Sequence, residues 1–211
     1  MPAIFVSGSD TNVGKTIVSA WLAQHWRAHY WKPVQSGRDE QGQTDTDVIH
    51  ALTDIPTHTE QYVLSQPLSP HQSAALDQVH IQLSDFQLPT ADRLVIEGAG
   101  GLLVPLNEQA RVIDLIAHFN RSQRVPTLLV VRSGLGTINH TSLSVEALRA
   151  RRLPLLGVVM VGEPNPANRA AIERYAPAPV LAELPHWPLV TPQALAAVPL
   201  PEPLKEILDT L

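Results

Sequence analysis

The stretch that decides the fold is Ala3–Trp26, which runs AIFVSGSDTNVGKTIVSAWLAQHW. It begins with a short apolar run rich in β-branched residues, passes through a loop bounded by Gly8 and Gly14, and ends in an apolar segment of helical length. A strand, a glycine-containing loop and a helix in this order form the setting in which many proteins bind phosphate groups. The segment therefore predicts a phosphate-binding loop after the first strand of an α/β domain.

The loop carries the residues that phosphate binding needs. Glycines let it wrap so that backbone N–H groups converge on an anion at the helix N-terminus. Lys15 adds a positive charge for the outer phosphates, and the Thr16 hydroxyl can ligate Mg²⁺. Between Gly8 and Gly14 stand five residues, about one more than the common pattern has. A plain glycine turn before a helix is the alternative, and the flanking strand and helix disfavour it. The expected nucleotide contacts are Asn12, Val13, Gly14, Lys15 and Thr16.

Further apolar runs predict the rest of the sheet. Strands are expected over 3–7, 93–96, 127–131 and 155–160, and weaker ones over 30–34 and 180–182. Helices are expected over 15–27, 45–52, 72–86, 112–120, 138–151 and 167–175, and near residue 204. The stronger runs are continuous rather than alternating, which suits strands covered on both faces. Together they predict a single α/β domain over 1–211, a three-layer P-loop NTPase-type fold with a mainly parallel central sheet. Ligands then bind beyond the carboxyl ends of the strands.

Composition and charge exclude several classes of protein. The chain has 211 residues and no cysteine, so disulfide frameworks, thiolate metal sites and cysteine nucleophiles are excluded. Its net charge of −5, with scattered basic residues, argues against nucleic acid as a partner. The apolar runs are much shorter than a membrane span and no basic region precedes one at the N-terminus, so neither a membrane partner nor secretion is expected. A cytoplasmic location fits these features.

Four further charged residues are candidates for the same site. Glu97 ends the apolar run Leu94–Ile96 directly before a flexible glycine segment, where a carboxylate can complete a Mg²⁺ site beside bound phosphates. Asp45 and Asp47 precede a short apolar helix, a place where such acids commonly act as N-caps. Lys32 follows the second predicted strand and so lies near the same sheet edge, although a lone lysine there is ordinarily a solvated charge.

Five blocks of sequence, taken in order, resemble the dethiobiotin synthetase family. They are GSDTNVGKT at 8–16, KPVQSG at 32–37, SPH at 69–71, EGAGG at 97–101 and GLGTINH at 134–140. The extra loop residue together with the second and fourth blocks is specific to this family and its near relatives, and the resemblance covers essentially the whole chain. It implies a homodimeric, ATP-dependent cyclo-ligase that uses Mg²⁺ and closes the ureido ring of dethiobiotin from 7,8-diaminopelargonate, CO₂ and ATP. The implied intermediates are a carbamate and a carbamic-phosphoric mixed anhydride.

The resemblance also implies roles for the matching residues. The catalytic residues would be Lys15, Lys32 and Thr11, and the metal ligands Thr16, Asp47 and Glu97. Thr11 and Ser36 would bind the reacting end of the substrate. Its carboxylate would meet Gly136, Thr137, Ile138 and Asn139 of the neighbouring subunit, which places the site at a dimer interface. Backbone atoms around Glu183, Leu184 and Pro185 would contact the base.

Two departures from the family pattern affect these expectations. Many relatives carry an acidic residue where Asn12 stands, and many carry an Asn-Asp pair, which binds the adenine edge, where this chain has Val161-Gly162. We therefore expect relaxed selection of the nucleotide base. The competing interpretation is a dimeric switch ATPase similar to ParA and MinD. Those proteins have a lysine five residues before the loop lysine, where this chain has Asp10, and their membrane-targeting members end in a basic amphipathic helix that is absent here.

Overall fold

The computed structural model describes residues 1–211 and contains one central sheet of seven parallel strands. The strands are β1 (Ala3–Gly8), β2 (His29–Trp31), β4 (Thr57–His58), β6 (Leu94–Gly101), β7 (Thr127–Arg132), β8 (Leu155–Val161) and β9 (Val180–Leu184). Their spatial order is β4-β2-β6-β1-β7-β8-β9. Two short parallel strands, β3 (Val34–Ser36) and β5 (Tyr62–Leu64), form a second sheet.

Helices cover the central sheet on both faces. They are α1 (Lys15–Trp26), α2 (Asp45–Leu52), α3 (Pro70–Leu76), α4 (Val112–Phe119), α5 (Thr137–Ala150), α6 (Pro166–Tyr175), α7 (Pro192–Ala196) and α8 (Glu202–Asp209). One hydrophobic core lies between the sheet and α3, α4, α5 and α6, and the other lies between the sheet and α1, α2, α7 and α8. The predicted three-layer α/β fold with a mainly parallel sheet is confirmed.

The order of strands explains where a ligand can bind. The strand β1 lies in the middle of the sheet, and its neighbours β6 and β7 follow it in the chain only after long crossovers. All six residues of β1 are buried, as are the first five of β6, as expected for strands covered on both faces. Because the strands are parallel, the loop after Gly8 and the end of β6 at Glu97–Gly101 meet at one edge.

Several elements differ from the sequence-based expectations. The helix expected over 72–86 is limited to α3, because Gln78 adopts a left-handed backbone (φ 56°), and only a short 3₁₀ turn at Leu83–Asp85 follows. The strand expected over 30–34 is divided between β2 and β3, with Lys32-Pro33 at the junction. Proline has no N–H to donate to a strand neighbour, which accounts for the break. The short elements β4, β5 and α7 were not predicted.

No helix in the structure combines the length and the apolar character needed to cross a lipid bilayer.

Candidate active site

The loop between β1 and α1 has a backbone that its sequence explains. Gly14 has φ 94°, a left-handed conformation that glycine adopts without steric cost. Asn12 also lies in the left-handed region, at φ 54°, which asparagine tolerates better than most side chains do. A Cβ on Gly8 would stand 2.5 Å from the Asp10 carbonyl oxygen and 3.2 Å from Lys15 Nζ. Glycine at position 8 therefore lets the loop close around the lysine.

Lys15 is held inside this loop. Its Nζ donates to the Asp10 carbonyl oxygen at 3.3 Å. Burial lowers the pKa of Lys15 below its ordinary value, and the nearby Glu97 carboxylate only partly offsets this effect. A buried ammonium without a direct carboxylate partner is well placed to gain from a bound phosphate.

Four side chains converge beyond the loop. Lys32 Nζ lies 3.0 Å from Glu97 Oε1 and also contacts an Asp45 carboxylate oxygen. The Thr16 hydroxyl lies 3.0 Å from Glu97 Oε1 and 3.1 Å from Asp45 Oδ1. With Lys15 nearby, the cluster contains two ammonium groups and two carboxylates, so its formal charges balance.

The charges in this cluster stabilise one another. Burial alone would lower the pKa of Lys32, but the Glu97 and Asp45 carboxylates outweigh it and raise that pKa above its ordinary value. Burial likewise opposes ionisation of Asp45, and the Lys32 ammonium overcomes it, so the pKa of Asp45 lies below its ordinary value. Lys32 is therefore a permanent cation at neutral pH and Asp45 a permanent anion.

The donor set fits a magnesium ion bound together with phosphates. Thr16, Asp45 and Glu97 present one hydroxyl and two carboxylates, which are the oxygen ligands that Mg²⁺ prefers. No group of three or more His, Cys, Asp or Glu side chains has metal-binding geometry anywhere in the chain. A site with two carboxylates suits an ion whose remaining ligands are water and substrate phosphate oxygens.

The structure places the Asp47 carboxylate away from the other two predicted metal ligands, Thr16 and Glu97. Its Oδ2 accepts hydrogen bonds from the Thr44 backbone N–H at 2.8 Å and from the Thr44 hydroxyl at 2.9 Å, and Thr44 Oγ1 accepts from the Asp47 N–H at 3.1 Å. This reciprocal pair is a capping box at the start of α2. The Asp47 side chain is exposed, and its other charged neighbour is Arg38 at 3.7 Å. Asp45, and not Asp47, brings its carboxylate to Thr16 and Lys32.

A cavity of about 940 Å³ opens above the charge cluster. Its lining includes the predicted residues Thr11, Asn12, Gly14, Lys15, Thr16, Lys32, Ser36 and Glu97, together with Asp45. The buried Ser36 hydroxyl has no hydrogen-bond partner. A buried hydroxyl is costly to leave unpaired, so the Ser36 hydroxyl is available to a ligand in this cavity.

The residues predicted near the base lie along the adjoining part of the sheet edge. Val161 is paired with Leu184 across β8 and β9, and the Gly162 N–H donates to the Leu184 carbonyl oxygen at 3.0 Å. A Cβ on Gly14 would meet Val161 Cγ1 at 3.3 Å, so this valine packs against the phosphate-binding loop. Glu183 lies 3.7 Å from Arg169 and its carboxylate is therefore already partnered. At this position beside the phosphate-binding loop, Val161 therefore presents an apolar side chain.

The segment predicted to bind a substrate carboxylate lies outside the cavity of its own chain. Gly136 caps the N-terminus of α5 with φ 88°, and Thr137–Asn139 form the first turn of that helix. The preceding Leu135 is 99% exposed. Gly136 and Asn139 are exposed and Ile138 is partly buried, whereas the side chain of Thr137 is buried.

Sequence reasoning missed two residues that contact the charge cluster or the phosphate-binding loop from outside the cavity lining. The Tyr30 hydroxyl donates to Glu97 Oε2 at 3.0 Å. Arg132, at the end of β7, pairs with the Asp10 carboxylate at 2.6 Å. Neither belongs to a recognisable motif: Tyr30 is the middle residue of β2, and Arg132 is the last residue of β7.

Comparison with known proteins points to one family. The model of the family described as "AAA domain" matches residues 2–194. The chain is 51% identical to the ATP-dependent dethiobiotin synthetase BioD of Paramagnetospirillum magneticum, over 95% of this chain and 96% of that protein. It is 43% identical to the protein of the same name from Lawsonia intracellularis, over 96% and 97% of the two chains.

Solved structures share the fold at low sequence identity. The septum site-determining protein MinD of Pyrococcus horikoshii, solved with Mg-ADP, matches with a TM-score of 0.53 and 16% identity, over 93% of this chain and 87% of that one. This likeness supports the P-loop NTPase-type architecture and says nothing about activity.

Proposed function

The chain belongs to the family of ATP-dependent dethiobiotin synthetases and is thus an ATP-dependent ligase, and from that premise we propose the reaction that its site performs. The substrates are 7,8-diaminopelargonate, CO₂ and ATP, and the product is dethiobiotin, made for biotin biosynthesis in the cytoplasm. The observation that carries the proposal is the meeting of Lys15, Thr16, Lys32, Asp45 and Glu97 on one wall of a 940 Å³ cavity.

The proposed reaction has three steps. One amine of the diamine takes up CO₂ and loses a proton, which gives a carbamate. A carbamate oxygen attacks the γ-phosphorus of ATP, ADP leaves, and a carbamic-phosphoric mixed anhydride forms. The second amine attacks the carbamoyl carbon, the bond between that carbon and the phosphate oxygen breaks, phosphate leaves with the electron pair, and the amine loses a proton as the ureido ring closes. No protein nucleophile is needed, in accord with the absence of cysteine.

The two lysines act on the charge that moves during phosphoryl transfer. Lys15 lies within the loop and would bind the outer phosphates of ATP, where positive charge stabilises the transferring group. Lys32, held above its ordinary pKa by Glu97 and Asp45 despite burial, would present a permanent cation to the carbamate and the γ-phosphate. Preorganised charge of this kind lowers the barrier because it needs little reorganisation in the transition state. Bound Mg²⁺, held by Thr16, Asp45 and Glu97, would neutralise charge on the phosphate oxygens.

Polar side chains across the cavity support binding of the diamine end. Thr11 and Ser36 both line the cavity, and the unpartnered Ser36 hydroxyl can donate to a carbamate oxygen or accept from an amine. The neighbouring Gln35 is bound to the protein at both ends of its side-chain amide. Its oxygen accepts the Asp45 N–H at 3.2 Å, and its nitrogen donates to the Gly37 carbonyl oxygen at 2.9 Å. Both groups of Gln35 are thus engaged in the protein, which leaves Ser36 for the substrate.

The substrate carboxylate is proposed to bind a second copy of the chain. In a homodimer, the N-terminus of α5 at Gly136–Asn139 would offer backbone N–H groups to an anion in the neighbouring cavity, although the Thr137 N–H already donates to the Gly134 carbonyl oxygen at 3.3 Å. The almost fully exposed Leu135 beside it would then be covered by that neighbour.

A nucleotide-driven switch similar to ParA and MinD fits less well. Those proteins share the fold, but the position of their additional loop lysine is Asp10 here, and its carboxylate is paired with Arg132 at 2.6 Å. The synthetase proposal is also favoured by relatives that are 43–51% identical over nearly the whole chain.

Product formation is the direct test. The purified protein is incubated with 7,8-diaminopelargonate, bicarbonate, Mg²⁺ and ATP, and dethiobiotin is sought by mass spectrometry. We expect one dethiobiotin for each ADP released, and no product with Thr16→Val or Lys15→Ala. ATP hydrolysis that is independent of the diamine, with no product of that mass, would favour the switch instead.

A further inference from the structure

The Tyr30 hydroxyl contacts the carboxylate of Glu97, which lies at the centre of the charge cluster. It lies in β2, which pairs with β6, and its neighbour across the ladder is Val95, two residues before Glu97. The Tyr30 hydroxyl oxygen is 3.0 Å from Glu97 Oε2. Tyr30 is 0% exposed and Glu97 is 1% exposed, so both side chains are buried.

The two oxygen atoms of Glu97 have different neighbours. Oε1 receives the Thr16 hydroxyl and the Lys32 ammonium, both at 3.0 Å. Oε2 has one hydrogen-bond donor within reach, the Tyr30 hydroxyl. A charged oxygen buried without a donor is costly, so a carboxylate that lost this contact would rotate or shift to find another. The Tyr30 hydroxyl therefore determines which oxygen faces the site.

Tyr30 remains a donor under ordinary conditions. A phenol hydroxyl is protonated at neutral pH, so it can donate a hydrogen bond to the carboxylate. The ring itself packs among the buried residues beneath α1, which fixes its position independently of any ligand.

We propose that Tyr30 is a positioning residue of the metal site, whose hydroxyl holds Glu97 so that Oε1 is turned toward Thr16 and ready to meet a divalent cation. This inference rests on the proposed function, since it takes Thr16, Asp45 and Glu97 as the metal ligands. Partners of ligating carboxylates fix the orientation of the ligand, and their loss commonly weakens metal affinity about 10- to 100-fold.

Direct metal binding tests the inference without relying on turnover. Mn²⁺ is titrated into the full chain in the presence of the non-hydrolysable analogue β,γ-imido-ATP, and free Mn²⁺ is measured by electron paramagnetic resonance. Tyr30→Phe, which removes only the hydroxyl, should raise the Mn²⁺ dissociation constant about tenfold or more. The matched control is Tyr62→Phe, because the Tyr62 hydroxyl also donates to a carboxylate, that of Asp85, but lies outside the cavity lining. The control should bind Mn²⁺ as the unmodified protein does.

A double-mutant cycle separates positioning from a general loss of stability. If Tyr30 acts through Glu97, Tyr30→Phe should change the Mn²⁺ dissociation constant little in a Glu97→Gln background. A general loss of stability would instead weaken Mn²⁺ binding in both backgrounds. Unchanged Mn²⁺ binding in Tyr30→Phe, or an equal loss in both backgrounds, would overturn the inference alone. Failure of the unmodified protein to bind Mn²⁺, or a Thr16→Val variant that binds it normally, would overturn the proposed metal site as well.

Discussion

Asp45→Asn and Asp47→Asn form a matched pair of substitutions at the start of α2. Both remove one negative charge from the first turn of the same helix, and both leave a side chain of the same size. The structure nevertheless gives the two aspartates different surroundings. Asp45 contacts Lys32 and Thr16, whereas Asp47 accepts hydrogen bonds from Thr44. We expect Asp45→Asn to abolish most activity and Asp47→Asn to affect only stability.

The magnitude for Asp45 follows from its place in the charge cluster. Breaking a fully buried ion pair costs about 3–5 kcal/mol, and the 31% exposure of the Asp45 side chain reduces this to about 1–3 kcal/mol. Activity should fall much further than stability, because a metal ligand is lost. Since loss of an outer partner of a ligand already weakens metal sites 10- to 100-fold, we expect a decrease in kcat/KM of about 100-fold or more.

The magnitude for Asp47 follows from helix capping. Its carboxylate accepts the Thr44 N–H at 2.8 Å and the Thr44 hydroxyl at 2.9 Å, and the neutral amide accepts both less well. Capping contacts contribute about 0.5–2 kcal/mol, and the amide retains part of this, so we expect a loss of about 0.5–1 kcal/mol. For a chain of this size, 1 kcal/mol corresponds to roughly 2–4 °C in Tm.

The Asp47 contribution also has a defined pH dependence. The Thr44 hydrogen bonds hold the pKa of Asp47 below its ordinary value of 3.8. A carboxyl group with a lowered pKa in the folded state stabilises the protein above its unfolded pKa, and this contribution is lost as the pH falls through the folded value. The difference in Tm between the unmodified protein and Asp47→Asn should therefore be present at pH 6 and disappear in acid.

The assays are steady-state dethiobiotin formation at saturating ATP over a range of Mg²⁺ concentrations, and thermal unfolding of both variants without ligand. Melting curves identify any variant that is partly unfolded under the assay conditions. Near-normal kcat/KM in Asp45→Asn together with a large loss in Asp47→Asn would refute the assignment and restore the sequence-based one.

Three further predictions address other parts of the site. Lys15→Met should abolish product formation yet raise Tm in the absence of nucleotide, because burial disfavours the charged lysine in the folded state; a lower Tm would contradict this. With Val161 at the base edge, kcat/KM for ATP, GTP and CTP should agree within about tenfold, and a preference for ATP above roughly 100-fold would mean that base contacts exist elsewhere. Mixing Lys15→Ala chains with Asn139→Asp chains should restore about a quarter of the native activity through hybrid dimers with one intact site, and no recovery would argue against a shared site.

The fold could be predicted from sequence where local pattern and buried position agree. The strand-loop-helix segment at Ala3–Trp26 and the apolar runs of β6, β7 and β8 have the expected elements within one or two residues at most ends. The elements that were not predicted are those whose formation depends on tertiary contacts rather than on local sequence. The pair β3 and β5 forms because the chain leaves the main sheet at Lys32-Pro33. The apolar run of β5 is too short to predict a strand from sequence. The short strand β4 is stabilised by pairing with β2 and not by its own two residues.

The loop motif and the strand-end residues allowed most of the candidate residues in the cavity to be named from sequence, but the motif does not distinguish Asp45 from Asp47. Both aspartates are acids at a helix start, and composition does not distinguish them. Spacing distinguishes them, because Thr44 and Asp47 are three residues apart, as a capping box requires. The Asp47 carboxylate binds the backbone at the start of its own helix and is therefore turned away from the cavity. The first helical residue, Asp45, is thereby left to reach Lys32. No sequence pattern pointed to Tyr30, because a tyrosine in a buried strand ordinarily belongs to the hydrophobic core. Its contact with the site is evident only from the structure, in which its hydroxyl lies 3.0 Å from Glu97 Oε2.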